Sequence, residues 1–189
     1  MFQKRDSKNP AVFLDRDGTL IHDRGYLRGT EEVCFYKQTV PALKKLQARF
    51  ELFIVTNQSG VSRGLQTERE VAEVNRFVED WLKGQGIRIR AVYTCPHQRK
   101  DGCDCMKPHP FFARQAADDF EISLEHSFSI GDHPHDVEFG RRFGGTGLYL
   151  LTGHGEKHRN ELSADELIFK DLAEAVDWLV LPQRYERFQ

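Results

Sequence analysis

The sequence lacks the features that would place the chain in a membrane or on nucleic acid. Its 189 residues contain no apolar run of about eighteen residues, so no segment is expected to span a bilayer. Neither sign of charge dominates, because 27 Lys and Arg oppose 29 Asp and Glu for a net charge of -2. Without a broad basic field, nucleic acid is a poor partner. Residues 1–10 carry no apolar stretch typical of a secretory signal, so we expect a cytoplasmic protein.

Repeats, low-complexity tracts and linkers are also missing. Hydrophobic residues make up 39% of the chain, which is ordinary for a globular domain with a real core. We therefore expect one domain over residues 1–189, and a monomer. Only four cysteines occur, and three of them lie with a histidine in segment 95–105. In a cytosolic protein such a group favours a metal site over disulfides.

Short apolar runs alternate with amphipathic stretches along the whole chain. The pattern predicts strands at 11–15, 51–57, 91–95, 126–132 and 147–151, and helices at 39–50, 67–84, 111–120, 136–143 and 171–180. Thr67 and Glu70 form the capping box that opens the longest of these helices. The alternation predicts an α/β fold, a Rossmann-like parallel sheet with helices on both faces. In such sheets ligands bind beyond the carboxyl ends of the strands.

Polar residues follow the ends of several predicted strands. Asp15 and Asp17 come after the first strand, Thr56 lies in the second, and Asp132 and Asp136 follow the fourth. Clustered carboxylates need a cation, and Mg²⁺ prefers a few hard oxygen ligands. One carboxylate can attack phosphorus while a second moves the proton. A lone Asp-x-Asp-Gly is often only a solvated turn, but the order of these groups along the chain indicates phosphoryl transfer.

These motifs resemble the haloacid dehalogenase superfamily of phosphatases. The matching segments are FLDRDGTL, RGY, TNQSGVSRG, CPH, CDCMKPHP and GDHPHD, which lie within residues 11–155. Within the superfamily they are similar to the branch of the D-glycero-D-manno-heptose bisphosphate phosphatases and the histidinol-phosphate phosphatase domain. The resemblance implies a haloacid dehalogenase-like core with a minimal cap. It also implies Mg²⁺-dependent hydrolysis of a small-molecule phosphate monoester through an aspartyl phosphate, in carbohydrate metabolism.

The resemblance implies a role for each matching residue. Asp15 would be the nucleophile and Asp17 the general acid and base, while Thr56 and Lys107 would hold the transferring phosphoryl group. The implied magnesium ligands are Asp15, the Asp17 carbonyl and Asp132, with Asp136 in support. The implied substrate contacts are Asp23, Arg24, Gly25, Tyr26, Asn57, Gln58, Ser59, Arg63, Met106 and His133. Arg63 has the alternative interpretation of a solvated loop cation.

A second group of ligands lies in segment 95–105, which we treat as a loop inserted into the domain. It consists of Cys95, His97, Cys103 and Cys105. Three thiolates and one imidazole are the ligand set of closed structural zinc sites, although buried free cysteines are the alternative. The resemblance also implies zinc in this loop. We expect the metal to stiffen the segment that delivers Lys107, and we interpret Cys34 as a core thiol.

Two departures from the branch leave the substrate open. Met106 stands where the branch has an arginine that helps to recognise the substrate, and a thioether cannot pair with an anion as a guanidinium does. The alternative is that another cation takes that role, with Arg63, Arg99 or Lys100 available. His133 stands where the related heptose enzymes have lysine, and with His135 it either faces solvent or lines the pocket. Hydrolysis of heptose 1,7-bisphosphate at the 7-phosphate is the leading activity, with histidinol phosphate or another sugar or nucleotide monophosphate as the alternative.

Two further classes of function compete with this one. A nucleic-acid 3'-end phosphatase could share the carboxylate pair, but the balanced charge opposes it. A non-enzymatic, zinc-stabilised binding module is opposed by the complete set of catalytic residue types.

Overall fold

The computed structural model describes residues 8–181 and shows one parallel sheet in the order β3-β2-β1-β4-β5-β6. The strands are β1 (Ala11–Leu14), β2 (Glu51–Asn57), β3 (Ile89–Cys95), β4 (Phe128–Gly131), β5 (Thr146–Leu150) and β6 (Leu167–Phe169). The α-helices are α1 (Thr39–Leu46), α2 (Glu68–Gly84), α3 (Phe111–Phe120), α4 (Pro134–Arg142), α5 (Gly155–His158) and α6 (Leu172–Leu179). The predicted α/β class is therefore confirmed.

The sheet separates two buried apolar clusters. Alternate side chains of a strand point to opposite faces, so Val12 and Leu14 enter one cluster while Ala11 and Phe13 enter the other. Helices α1, α2 and α6 contribute to the first cluster, and α3 and α4 contribute to the second. Burial on both faces explains why the central strands read as continuous apolar runs in the sequence.

The strand order reverses direction at β1. This strand pairs with β2 on one side and with β4 on the other. Open parallel sheets form a ligand crevice at the carboxyl ends of the strands where the order reverses. Asp15 follows β1 and Asp132 follows β4, and the Asp15 N–H donates to the Ile130 carbonyl oxygen at 2.9 Å. The topology thus brings together carboxylates that are more than a hundred positions apart.

Several predicted boundaries are wrong, each for a local reason. Helix α1 ends at Leu46 and not at residue 50, because residues 47–49 turn and bury Phe50 before β2. Strand β4 begins at Phe128, since Leu124–His126 forms a 3-10 turn. The sequence pattern also missed β6 and α5, which are too short to show a periodicity.

Two further expectations concern the ends of the chain and Cys34. Cys34 is only partly buried, so its interpretation as a core thiol was wrong. The prediction about a secretory signal falls mostly on residues 1–7, outside the described part. Within residues 8–181, no helix combines the length and the apolar character that crossing a membrane requires.

Candidate active site

Lys107 lies at the centre of the carboxylate cluster. Its Nζ is 2.6 Å from Asp15 Oδ1 and 2.6 Å from Asp136 Oδ1, and all three groups are buried or nearly so. Burial opposes the charge of a lysine, but Asp136 and Asp15 outweigh it and raise the Lys107 pKa. The ammonium is therefore held in its charged form, where it can bind a further anion.

The cluster carries more negative charge than Lys107 can offset. Carboxylate oxygens of Asp15, Asp132 and Asp136 lie within 4.8 Å of one another. Burial raises the pKa of Asp15 to about 7, and Asp136 and Asp17 add to the shift while Lys107 opposes it. Burial and the charges of Asp15 and Asp136 raise the pKa of Asp132 to about 8. Three hard oxygen donors that repel one another form a site suited to a divalent cation.

Gly18 allows Asp132 to approach the loop that follows β1. The backbone of Gly18 has φ +78°, and a Cβ at this position would lie 2.1 Å from Asp132 Oδ2. The same oxygen accepts the His154 N–H at 2.6 Å. Any larger residue at position 18 would displace Asp132 from the cluster.

The two oxygens of Asp17 have different surroundings. Oδ2 accepts from Arg16 Nε at 3.0 Å, from Arg16 Nη2 at 2.8 Å and from Gln58 Nε2 at 2.8 Å. Oδ1 is buried and has no hydrogen-bond partner among the described residues. Gln58 also donates to Thr56 Oγ1 at 2.7 Å, which links the ends of β1 and β2. Asp17 Oδ2 is therefore the oxygen that the surrounding side chains hold in place.

An open cavity of about 780 Å³ surrounds these groups. Asp15, Asp17, Thr56, Lys107, Asp132 and Asp136 line it, so the predicted catalytic and magnesium-ligand side chains all meet in one place. Of the ten predicted substrate residues, nine line the cavity: Asp23, Gly25, Tyr26, Asn57, Gln58, Ser59, Arg63, Met106 and His133. Arg24 does not line it and is exposed, so its predicted substrate contact stays a prediction.

The outer wall of the cavity is cationic and aromatic. Arg63 is exposed at the rim, where it donates to the Tyr26 hydroxyl and its guanidinium carbon lies 5.4 Å from the centre of the Tyr26 ring. His133 and His135 stack with ring centres 4.3 Å apart, and both line the cavity. Burial lowers the pKa of His133 to about 4, and His135 adds to this shift. His133 and His135 therefore line the cavity, and the alternative interpretation, in which both face solvent, was wrong.

The sequence analysis missed His154 and Gln98 of this wall, and it named Arg99 only as a cation that could replace the arginine missing at position 106. His154 lines the cavity, and its Nδ1 lies 3.2 Å from Asp23 Oδ2. Gln98 and Arg99 line it from the loop between the predicted zinc ligands, and Arg99 donates to the His135 ring. These residues lie in loops, which have no periodic sequence pattern. Only the family resemblance could have indicated that they line the cavity.

The four predicted zinc ligands come together beside Lys107. Their sulfur atoms lie 3.0–3.6 Å apart, and His97 Nδ1 lies 3.3 Å from Cys105 Sγ. A tetrahedral metal with bonds of about 2.3 Å would place sulfurs roughly 3.8 Å apart, so the group could close around one ion with little movement. Burial raises the pKa of Cys95, and its hydrogen bond with Cys105 adds to this, so a cation would be needed to hold a thiolate there.

The parallel sheet brings a carboxylate pair, a buried lysine and further carboxylates together at the point where its strand order reverses. This fold and site define a class of enzyme, the phosphoric monoester hydrolases with an aspartate nucleophile. Comparison with known proteins agrees. A family model described as HAD-hydrolase-like matches residues 104–175. The chain belongs to the haloacid dehalogenase superfamily of phosphatases, in the family of the heptose bisphosphate phosphatases.

Three relatives illustrate this membership. The D-glycero-beta-D-manno-heptose-1,7-bisphosphate 7-phosphatase of Helicobacter pylori strain J99 is 35% identical over 173 residues, which cover 90% of this chain and 97% of the relative. The enzyme of that name from Escherichia coli K12 is 32% identical over 178 residues, covering 88% and 93%. The crystal structure of D,D-heptose 1,7-bisphosphate phosphatase from B. bronchiseptica, complexed with magnesium and phosphate, has a TM-score of 0.82 at 27% identity and covers 90% of this chain and 98% of that one.

Proposed function

We propose that this phosphatase hydrolyses the 7-phosphate of heptose 1,7-bisphosphate, or a closely similar sugar phosphate, through an aspartyl phosphate on Asp15. The observation that carries the proposal is the meeting of Asp15, Lys107, Asp132 and Asp136 at the carboxyl ends of β1 and β4. The relatives at 31–38% identity that are named for this activity support the substrate.

Magnesium is the proposed catalytic metal. Asp15, the Asp17 carbonyl and Asp132 would hold it, with Asp136 in support. The donors fit, because the three carboxylates offer hard oxygens within 4.8 Å of one another and their charges exceed what Lys107 offsets. Magnesium bound there would supply positive charge against the substrate phosphate and the Asp15 carboxylate.

The first half of the reaction transfers the phosphoryl group to the protein. Lys107 and Thr56 hold the phosphoryl oxygens, and the ammonium offsets their charge. A carboxylate oxygen of Asp15 forms a bond to phosphorus as the bond from phosphorus to the sugar oxygen breaks. Asp17 gives its proton to that leaving oxygen, and the sugar departs as an alcohol.

The second half returns the protein to its starting state. Asp17, now ionised, takes a proton from a water molecule, and the water oxygen attacks the phosphorus of the aspartyl phosphate. The bond between phosphorus and Asp15 breaks, which releases inorganic phosphate and restores both the Asp15 carboxylate and the protonated Asp17. Atoms and charge therefore balance over the cycle.

Zinc is the proposed occupant of the group formed by Cys95, His97, Cys103 and Cys105. Four protein ligands leave no open position for substrate, so the metal would be structural. Its effect on catalysis would be indirect, because the segment that it closes leads within two residues to Lys107.

A phosphate-release screen tests the proposed function. The purified protein would be assayed with Mg²⁺ on heptose 1,7-bisphosphate, sugar monophosphates, histidinol phosphate and nucleotides, beside Asp15→Asn and a sample with excess EDTA. We expect turnover of a sugar phosphate that both Asp15→Asn and EDTA abolish. Turnover by Asp15→Asn near the normal rate would overturn the mechanism. A strong preference for histidinol phosphate or nucleotides would overturn the proposed substrate.

A further inference from the structure

The loop that follows β5 is held firmly beside the carboxylate cluster. Thr152 Oγ1 donates to the Gly18 carbonyl oxygen at 2.5 Å, and the Gly155 N–H donates to the Thr152 carbonyl oxygen at 2.7 Å. Between these contacts, the His154 N–H donates to Asp132 Oδ2 at 2.6 Å. The backbone of residue 154 is therefore fixed relative to the proposed magnesium ligands.

The side chain of His154 extends from this fixed backbone to a different part of the cavity wall. Its Nδ1 lies 3.2 Å from Asp23 Oδ2, and both residues line the cavity. The other oxygen of Asp23 accepts the Gly25 N–H at 2.7 Å, which closes a turn within residues 23–26. His154 thus contacts a proposed metal ligand through its backbone and a proposed substrate residue through its side chain.

The 23–26 loop is held at its other end by Tyr26. A Cβ on Gly60 would lie 2.4 Å from an atom of the Tyr26 ring, so the ring packs closely on the backbone of the loop after β2. Arg63 donates to the Tyr26 hydroxyl. The two residues between the ends are exposed. The loop therefore borders the cavity between two anchors, and His154 is the anchor on the side of the carboxylate cluster.

We infer that His154 is a positioning residue, which holds Asp23 and thereby places the 23–26 loop against the alcohol part of the substrate. The inference rests on the substrate-binding role of Asp23 in the proposed function. A loop that is already ordered costs less to order when a ligand binds, so the contact should tighten binding without changing the chemical step. A ligand that fills only the phosphoryl position should not be affected.

The test compares His154→Leu with His154→Asn. The two new side chains have nearly the same shape, but only the amide carries an N–H donor, close to where the imidazole carries Nδ1. Both variants keep the backbone N–H that Asp132 accepts, and the His154 side chain is 54% exposed, so folding should be unaffected.

The two variants should differ in KM and agree in kcat. We expect His154→Leu to raise KM for heptose 1,7-bisphosphate about three- to fivefold with kcat unchanged, which is the size expected for a contact between partly exposed polar groups. His154→Asn should stay within about twofold of the unaltered protein. An equal KM in the two variants, or a loss confined to kcat, would contradict the inference.

Two further measurements separate positioning of the loop from damage to the phosphoryl and metal sites. Orthovanadate resembles inorganic phosphate and has no alcohol part, so its inhibition constant should be the same in His154→Leu as in the unaltered protein. The Mg²⁺ concentration that gives half of the rise in melting temperature should also stay the same, because Asp132 is contacted by a backbone group. A shift in either value as large as the rise in KM would count against the role of the loop.

A double-mutant cycle shows whether the effect passes through Asp23. Asp23→Asn removes the carboxylate that faces His154, and its amide oxygen can still accept the Gly25 N–H. In that background His154→Leu should raise KM by less than about 1.5-fold, since contacting residues give non-additive effects. A further rise of three- to fivefold would show that His154 acts by another route.

Hydrogen exchange of the backbone amides separates failure of this inference from failure of the proposed function. Without any substrate, His154→Leu should speed exchange within residues 23–26 and His154→Asn should not. If heptose 1,7-bisphosphate is not hydrolysed, the proposed substrate fails, and the KM comparison uses the ester with the highest kcat/KM in the phosphate-release screen. Equal exchange and equal KM in the two variants would overturn the inference for any substrate.

Discussion

The side-chain amide of Asn57 pairs with both backbone polar groups of Lys107. The Lys107 N–H donates to Asn57 Oδ1 at 3.0 Å, and Asn57 Nδ2 donates to the Lys107 carbonyl oxygen at 3.2 Å. The last residue of β2 thus holds the segment that follows the Cys/His cluster. Asn57 lines the cavity, as predicted, but its amide is engaged by the protein itself, and we interpret it as a residue that places Lys107.

Asn57→Ala should therefore impair catalysis through Lys107. Loss of the paired contacts removes two hydrogen bonds, so we expect the free energy of unfolding to fall by about 1–3 kcal/mol. Lys107 would then be less well placed, and kcat should fall about tenfold or more. Chemical denaturation and steady-state kinetics measure the two effects. The control is Asn160→Ala, an exposed asparagine in a 3-10 turn, which should leave both quantities unchanged.

The carboxylate cluster predicts opposite effects of Asp132→Asn on stability and on metal binding. Without divalent cations, the amide should raise the melting temperature, because burial and the charges of Asp15 and Asp136 disfavour an ionisable carboxyl group there, and the amide can still accept the His154 N–H. With millimolar Mg²⁺, the unaltered protein should gain stability through binding and the variant should gain little. Thermal unfolding with EDTA and with Mg²⁺ measures both effects. An equal gain from Mg²⁺ in the two proteins would exclude Asp132 as a ligand.

The Cys/His cluster predicts about one zinc per chain in protein purified without chelators. Cys105→Ser should lose the zinc, lower the melting temperature and reduce activity, since the loop before Lys107 would no longer be closed. Adding Mg²⁺ should not restore the loss. Cys34→Ser is the matched control, because Cys34 lies outside the cluster and should keep the zinc. Elemental analysis that finds no zinc in the unaltered protein would refute the site.

Most of the fold could be predicted because its signals are local. Strands β1 and β2 are apolar on both faces, and Thr67 caps α2 with Glu70 as the sequence indicates. The carboxylates of the candidate site could be placed as well, since each follows a strand and parallel strands end at one edge of the sheet. The positions of Asp15 and Asp132 are thus consequences of topology.

The remaining parts depend on contacts that no local pattern encodes. Asn75 lies in an amphipathic helix, and only its bond to Arg16 links it to Asp17 of the candidate site. Arg16 is simply the residue between two aspartates in the sequence, and its burial and its bond to Asn75 of α2 appear only in the folded chain. His154 contacts Asp132 through its backbone N–H. Nearly every residue type has this group, so the identity of residue 154 could not indicate the contact.

Met106 gives the last prediction, which concerns the substrate. It lines the cavity and also packs against the apolar cluster around Phe112, at the position where the family resemblance predicts an arginine. A missing guanidinium contact to a charged part of the substrate should cost about 1.5–3 kcal/mol. That corresponds to roughly one to two orders of magnitude in kcat/KM on heptose 1,7-bisphosphate, at about 1.4 kcal/mol per tenfold.

The test is Met106→Arg, assayed on heptose 1,7-bisphosphate and on a heptose monophosphate that carries only the 7-phosphate. We expect kcat/KM to rise about tenfold or more on the bisphosphate and little on the monophosphate, because only the bisphosphate offers the second anion. Met106→Leu is the matched control, since it keeps the apolar volume and should change neither value. Arg63 and Arg99 also line the cavity, so the unaltered protein has other cations near the same wall. If it already prefers the bisphosphate by orders of magnitude, those arginines bind the second phosphate and the interpretation of Met106 is wrong.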